Sequence, residues 1–411
     1  MTVSTQRSVA LLLACGVVTA ALAMGLRQSL GLFFAPITTA QSWSASGFAF
    51  AIALQVLCNG LTQPVWGQVA DRIGGRAVVM IGALLQAVAL AGMALSPSLF
   101  WFTVFAGPVM GCAVSAAGMP VIMASLTRLL PENLRGRATG LGTAGSSFGQ
   151  FLVVPLVAWG LATTGWQWAL LGIAAVSLLM IPLALPLNDQ AARPAPGAAP
   201  EEKAAAALGR ALRDPTFWFL SFGFFVCGLH VSFMAVHLPG FVASCHLPLG
   251  VGAAAISLIG LFNVAGSLIA GELSGRWRRR ELLVIIYAAR GVLIGGFMLV
   301  EKTTASVLVF SAIMGLLWLS TVPPTVALCA RNFGTRWLAT IFGLVFLGHQ
   351  VGGFTGAWLG GVVFDLDGSY DRMWLLATIA AFAGAGFSAL CRDGTPAPTA
   401  PARPVGRVAE A

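Results

Sequence analysis

The chain has 411 residues, 58% hydrophobic and 9% charged, with a net charge of +9 and a mean hydropathy of +0.87. So little polar surface cannot cover a water-soluble globule, which excludes a soluble enzyme or binding module and makes lipid the medium of the outer face. The arginines are scattered over separate short segments and form no continuous stripe, so no nucleic-acid partner is implied.

About 20 apolar residues span a bilayer as a helix. The chain divides into segments of that kind starting near Val9, Ser46, Ala77, Leu99, Ala138, Trp166, Thr216, Gly252, Glu281, Ala305, Leu338 and Met373. This predicts an all-α polytopic membrane protein with twelve transmembrane helices. Arg7, the following apolar run and Ala21-Leu22-Ala23 imitate a cleaved secretory leader. The apolar character resumes from Leu30 to Ile37, too long for a leader core, so the segment is expected to stay as the first helix.

Arg27 lies about 24 Å along that helix from Leu11 at 1.5 Å per residue, with apolar residues on both sides. The second segment carries Gln55, Asn59 and Gln63 at steps of four, a polar stripe on one helical face. After it comes Gly67-Gln68-Val69-Ala70-Asp71-Arg72-Ile73-Gly74-Gly75-Arg76. Gly67 permits close helix approach, Asp71 can accept from helix N-terminal amides or pair with arginine, and Arg72 and Arg76 suit an anionic leaflet. Met119-Pro120 offers flexibility in the fourth segment, and Gln150 adds a polar group in the fifth.

Between the sixth and seventh segments, Asn188 to Asp214 is rich in alanine and proline and reads as a linker. Its end, Ala207 to Arg213, suits a short amphipathic surface helix, and Asp214-Pro215 suits the cap of the seventh. Beyond it lie His230 in the seventh segment, Asn263 with Ser267 in the eighth, and Arg290 beside Tyr287 in the ninth. Trp318 in the tenth and His349-Gln350 in the eleventh complete the polar set. The expected division is 1–187 and 215–393 as six-helix bundles, 188–214 as a cytoplasmic linker and 394–411 as a disordered cytoplasmic tail.

With the N-terminus inside, the inner loops hold Arg72 and Arg76, then Arg128, Arg135 and Arg137, then the linker's basic residues, then Arg276 to Arg280, Arg331 and Arg336. The outer loops hold only Lys302 and Arg372. That asymmetry places both termini in the cytoplasm. The preference for arginine over lysine and the Ala/Gly-rich spans suit a GC-rich bacterial genome, hence a bacterial inner membrane. The seven cysteines show no C-x-x-C pairing and read as small packing residues. No metal cluster, phosphate-binding glycine loop or nucleophile elbow appears, so neither a cofactor nor an enzymatic activity is expected.

At an offset of 204, Gly67 falls on Gly271, Arg72 on Arg276, Arg76 on Arg280 and Asn59 on Asn263. At 201, Arg135-Gly136-Arg137-Ala138-Thr139 falls on Arg336-Trp337-Leu338-Ala339-Thr340. The halves therefore read as an internal duplication in which Gly275 replaces Asp71. The twelve spans, the Gly67–Arg76 loop, the central linker and the paired halves together resemble the major facilitator superfamily. Gly25 to Phe33, Ala35-Pro36 and Phe346 to Gln350 resemble bacterial members of its monocarboxylate-transporter branch. The resemblance implies two pseudo-symmetric six-helix bundles, alternating access around a central site, and a gating role for Gly67, Asp71, Arg72, Gly75 and Arg76.

An ionisable residue deep in a span is a functional candidate by default. Arg27 is a candidate carboxylate receptor, because its planar fork gives two parallel charge-assisted hydrogen bonds; the alternative is snorkelling to outer headgroups. Arg290 is either an anion contact or a structural group on a usually peripheral helix. His230 and His349 are candidates for proton coupling, since histidine switches charge near neutral pH and no acid occupies the middle of any span. The alternative for each is a neutral imidazole bonded between helices. Gln55, Asn59, Asn263, His349 and Gln350 are candidate substrate contacts. Many relatives in the monocarboxylate and oxalate/formate branches place a cationic residue on the eighth helix, where this chain has Asn263, and the lysine expected on the eleventh helix of the oxalate/formate exchanger is absent here. The resulting expectation is a secondary transporter of a small organic anion, a monocarboxylate, with protons as a candidate co-substrate and the bilayer as its partner. A monomer suffices for that role. A transporter of a neutral polar solute or drug, and a membrane sensor that moves nothing, are the alternatives.

Overall fold

The computed structural model describes residues 3–129, 132–189, 204–334 and 338–393. The linker core 190–203, the tail 394–411 and the side chains of Asp71, Arg128, Arg135 and Arg137 lie outside the described residues. Every regular element among the described residues is helical, as lipid demands of a chain that must satisfy its own backbone groups.

Among the described residues, eleven helices are long and apolar enough to cross a membrane. In the first half these are α1 (Val9–Gln41), α2 (Ala45–Ile73), α3 (Gly75–Leu95), α4 (Leu99–Met123, reaching Leu129 after a break), α5 (Glu132–Thr164) and α6 (Trp166–Ala184). The second half contributes α7 (Pro215–Ser244), α8 (Leu249–Arg276), α9 (Arg279–Leu299), α10 (Thr304–Phe333) and α12 (Asp371–Leu390). Helix α11 (Leu338–Asp367) has 30 residues, ample to cross. Most helices begin within about three residues of the positions read from the sequence, at the one-turn fraying expected of any boundary. Helix α5 begins six residues earlier than Ala138, because Glu132 to Arg137 extend it as a polar turn.

The duplication is visible element by element. Helices α3 and α9 both have 21 residues and stand 204 positions apart at each end. Local caps follow the sequence: Ser44 Oγ accepts from Gly47 N at 3.1 Å, and Asp214 Oδ1 accepts from Thr216 N at 2.7 Å with Pro215 as first helical residue. The surface helix runs Ala204–Arg213, with Ala207 and Ala211 buried and Arg210 and Arg213 turned outward. Gly74 turns the chain between α2 and α3 at φ 97°, a conformation that a side chain resists.

The hinge differs from expectation in two respects. A Cβ at Gly67 would meet nothing within 4 Å, so this glycine makes no close approach here. The tight contact is at Gly75, where a Cβ would overlap Ser125 Oγ of α4. The N-terminus of α3 is capped by Asp189, whose Oδ1 accepts from Gly75 N at 2.9 Å. Arg72 is exposed and Arg76 half-buried.

The halves meet at the end opposite the arginine-rich loops. Asp365, near the end of α11, accepts from the backbone N–H groups of Ala45 (2.9 Å) and Ser46 (2.8 Å) at the start of α2. Helix α1 lies against α7 so closely that a Cβ on Gly31 would sit 2.0 Å from Ala235 O. Phe34 meets the His237 ring edge-on at 5.3 Å. Midway, Gln150 Nε2 donates to Ile256 O (2.7 Å) and Gln350 Nε2 to Val56 O (3.1 Å). Towards the arginine-rich end, Leu61 and Val65 of α2 are exposed.

Candidate functional site

A cavity of about 320 Å³ lies between the halves. Its wall includes Arg27 of α1, the stripe Gln55, Asn59 and Gln63 of α2, and His349 and Gln350 of α11. Two helix breaks contribute the rest of its shape. Helix α4 is interrupted at Ala117–Gly118 and resumes at Met119, while α10 stops at Leu317 and resumes at Val322. The two interruptions fall close to the 204-residue offset, and Gly118, Met119, Trp318 and Val322 all face the cavity. Helix N-termini carry partial positive charge, which favours an anion near both restarts; at α10 this acts through the dipole alone, because Val322 N and Thr325 N donate to Leu319 O and Thr321 O and Pro323 and Pro324 have no N–H.

The Arg27 guanidinium makes no hydrogen bond or ion pair with any described residue, and no Asp or Glu lines the cavity. Gln55 Nε2 and Trp318 Nε1 are buried donors without a partner among the described residues. Such donors are costly unless something occupies the space in front of them.

His349 is 7% exposed and lies parallel to Phe346 at 5.3 Å, with Phe224 at 4.9 Å. Its tautomer follows from its neighbour. Gln350 donates through Nε2 to Val56 O, so its Oε1 is the atom that faces His349 Nδ1 at 3.1 Å. A carbonyl oxygen only accepts, and Nδ1 must therefore carry the hydrogen. That leaves Nε2 as a buried lone pair able to accept a proton, with the Cys227 thiol beside the ring.

Three other candidates stand elsewhere. His230 does not line the cavity: its Nε2 donates to Ala377 O at 2.8 Å, a bond between α7 and α12. Asn263 lies behind the wall, donating to Ser147 Oγ at 3.0 Å and accepting from Leu319 N at 3.1 Å, where it steadies the α10 break. Arg290 is wholly buried and away from the cavity; its guanidinium donates to Leu317 O and Trp318 O, the last carbonyls before that break, and lies over the Tyr287 ring. Depth in a span identified these residues, and the direction each faces separates them from the cavity set. Sequence reasoning missed Gln28, Ser232, Phe224 and Phe346 as lining residues. Of these, Gln28, next to Arg27, and Ser232 carried a polar signal.

The sequence matches the Major Facilitator Superfamily profile over residues 13–357. The chain belongs to the major facilitator superfamily. It is 24% identical over 375 residues to the uncharacterized MFS-type transporter YcxA of Bacillus subtilis, covering 87% of this chain and 88% of that one. It is 28% identical over 369 residues to monocarboxylate transporter 11 of Homo sapiens, covering 87% and 77%. The fold matches a bacterial homologue of the human lysosomal transporter Spinster with a TM-score of 0.75 at 15% identity, covering 93% of this chain and 97% of that one. In a major facilitator chain, a cavity between two six-helix halves, sealed at one end, is where a solute would bind.

Proposed function

We propose that this protein moves a small organic anion, a monocarboxylate, across a bacterial inner membrane by alternating access, with Arg27 as the carboxylate receptor. The reading rests above all on Arg27: an unpartnered guanidinium in a cavity that holds no acid and faces two helix N-termini. The names of relatives such as monocarboxylate transporter 11 support the same class of solute. The positive-inside pattern turns the arginine-rich end to the cytoplasm, and the arrangement described above is then open inward. His349 is the coupling group of this proposal, because it lines the cavity and can take up a proton near neutral pH.

The test is carboxylate uptake into proteoliposomes alongside binding to the purified protein. Arg27→Lys keeps the charge and loses the fork, so affinity falls substantially; Arg27→Gln removes both and nearly abolishes binding, a loss of ~2–5 kcal/mol. Near-normal carboxylate affinity in both variants would overturn the assignment. The Gln55, Asn59 and Gln63 stripe favours one alternative, a neutral polar solute, which would bind equally well with Gln at position 27. Ligand binding without uptake would identify a sensor.

A further inference from the structure

The internal duplication exposes an anion site outside the cavity. In the first half, Asp189 caps the N-terminus of α3 through Gly75 N. At the 204-residue offset, Asp189 falls on Asp393 and Gly75 on Arg279, the first residue of α9. The second half has lost that cap. Asp393 pairs instead with Arg331 at 3.7 Å, a residue whose first-half counterpart is Thr127. Helix α9 starts with no side-chain hydrogen bond at its N-cap and with Arg278, Arg279 and Arg280 at its positive pole, the reverse of what a helix dipole favours.

These residues enclose a pocket of about 530 Å³ that joins the α8–α9 turn to the ends of α10 and α12. Arg276 pairs with Glu272 at 2.5 Å, and Arg278 with Glu281 at 3.2 Å. Five arginines against Glu272, Glu281 and Asp393 leave a surplus of two positive charges. Arg279 Nε is buried and without a partner among the described residues. Trp277, 54% exposed in the same turn, is placed as interfacial tryptophans are at a headgroup layer.

We propose that this pocket binds the headgroup of an anionic phospholipid, whose phosphodiester takes the capping place that Asp189 fills in the first half. Phosphate supplies the missing acceptor for the α9 N-terminus and for Arg279, and the acyl chains lie along the membrane face beside Trp277. A bound lipid would thus tie the α8–α9 turn to the ends of α10 and α12.

Native mass spectrometry of the full-length protein in detergent tests this, with phosphatidylglycerol and phosphatidylcholine as matched probes. Retention of phosphatidylglycerol should exceed that of phosphatidylcholine by roughly tenfold. Arg279→Gly with Arg331→Thr restores the first-half residues and frees Asp393 to cap α9, and this variant should lose the preference while keeping its thermal stability. Arg279→Gln with Arg280→Gln, which leaves the helix start unaltered, should lose it too. Equal retention of the two lipids, or an unchanged preference in both folded variants, would sink the proposal. Inorganic phosphate that displaces phosphatidylglycerol at millimolar concentration would assign the pocket to a soluble anion and overturn the lipid reading as well.

Discussion

The two ends of the central cavity are built from the same duplicated helices and are held in opposite ways. At the far end, α1 meets α7 backbone to backbone at Gly31, and Asp365 of α11 caps α2. At the arginine-rich end, α2 carries on past the cavity with Gly67 facing open space, and Gly343 of α11 does the same. The difference teaches where motion is stored. Glycines, a helix cap and the Phe34–His237 ring contact close one end, while the other end keeps its glycines free for a contact absent from this arrangement.

The largest effect is expected at Gly31. A methyl group there collides with a backbone oxygen that cannot rotate away, so Gly31→Ala should oppose closure by about 1–3 kcal/mol or more. Spin labels at the far-end loops, near Ser42 and Leu247, should report a wider separation, and uptake should fall tenfold or more. An unchanged distance distribution would show that α7 yields instead. Next comes Asp365→Ala, which removes two hydrogen bonds to the α2 N-terminus and should shift the same distances by about 1 kcal/mol of equilibrium. Asp365→Asn should recover part of the shift, because its amide oxygen still accepts.

Gln350→Met should have a smaller effect on the equilibrium, about 0.5–1.5 kcal/mol for one hydrogen bond across the halves. Its more telling readout is pH dependence. Without Gln350 Oε1 the His349 tautomer is no longer fixed, so the pH profile of uptake should change in Gln350→Met and flatten in His349→Asn. Identical profiles in all three proteins would remove His349 from coupling. The smallest effect in this arrangement belongs to Gly67→Ala, where thermal stability should stay within about 0.5 kcal/mol of the parent. Uptake should nonetheless fall, since Gly67 is expected to approach another helix when the arginine-rich end closes. Normal uptake would leave Gly67 without a role in either arrangement.

Much of the architecture was legible because lipid imposes one rule on every span: long apolar runs marked the helices and their limits. The Gln55, Asn59 and Gln63 stripe was equally legible, since a step of four keeps one helical face and the structure puts all three on the cavity wall. Rotation about the helix axis was not legible for isolated residues. Arg290, His230 and His349 lie at similar depths, and one sequence position turns a side chain by about 100°. His349 therefore reaches the cavity while His230 turns to Ala377 O and Arg290 to the carbonyls of α10. The helix breaks were only half legible: Gly118-Met119-Pro120 and Pro323-Pro324 mark them, but a proline kink and a full interruption look alike in sequence.

The interruption of α10 has an evolutionary consequence. Its free carbonyls are held by Arg290 from α9 and its Leu319 N–H by Asn263 from α8, both outside the cavity. The turn from Trp318 to Thr321 is thereby supported mainly through its main chain, with Ser320 Oγ on Leu316 O and Thr321 Oγ1 against Cys227 Sγ as its side-chain ties. Trp318 and Leu319, which line the cavity and whose side chains make no such bond, can be exchanged without unravelling the membrane helix that bears them, so the turn can acquire new solute preferences while the surrounding scaffold is inherited unchanged.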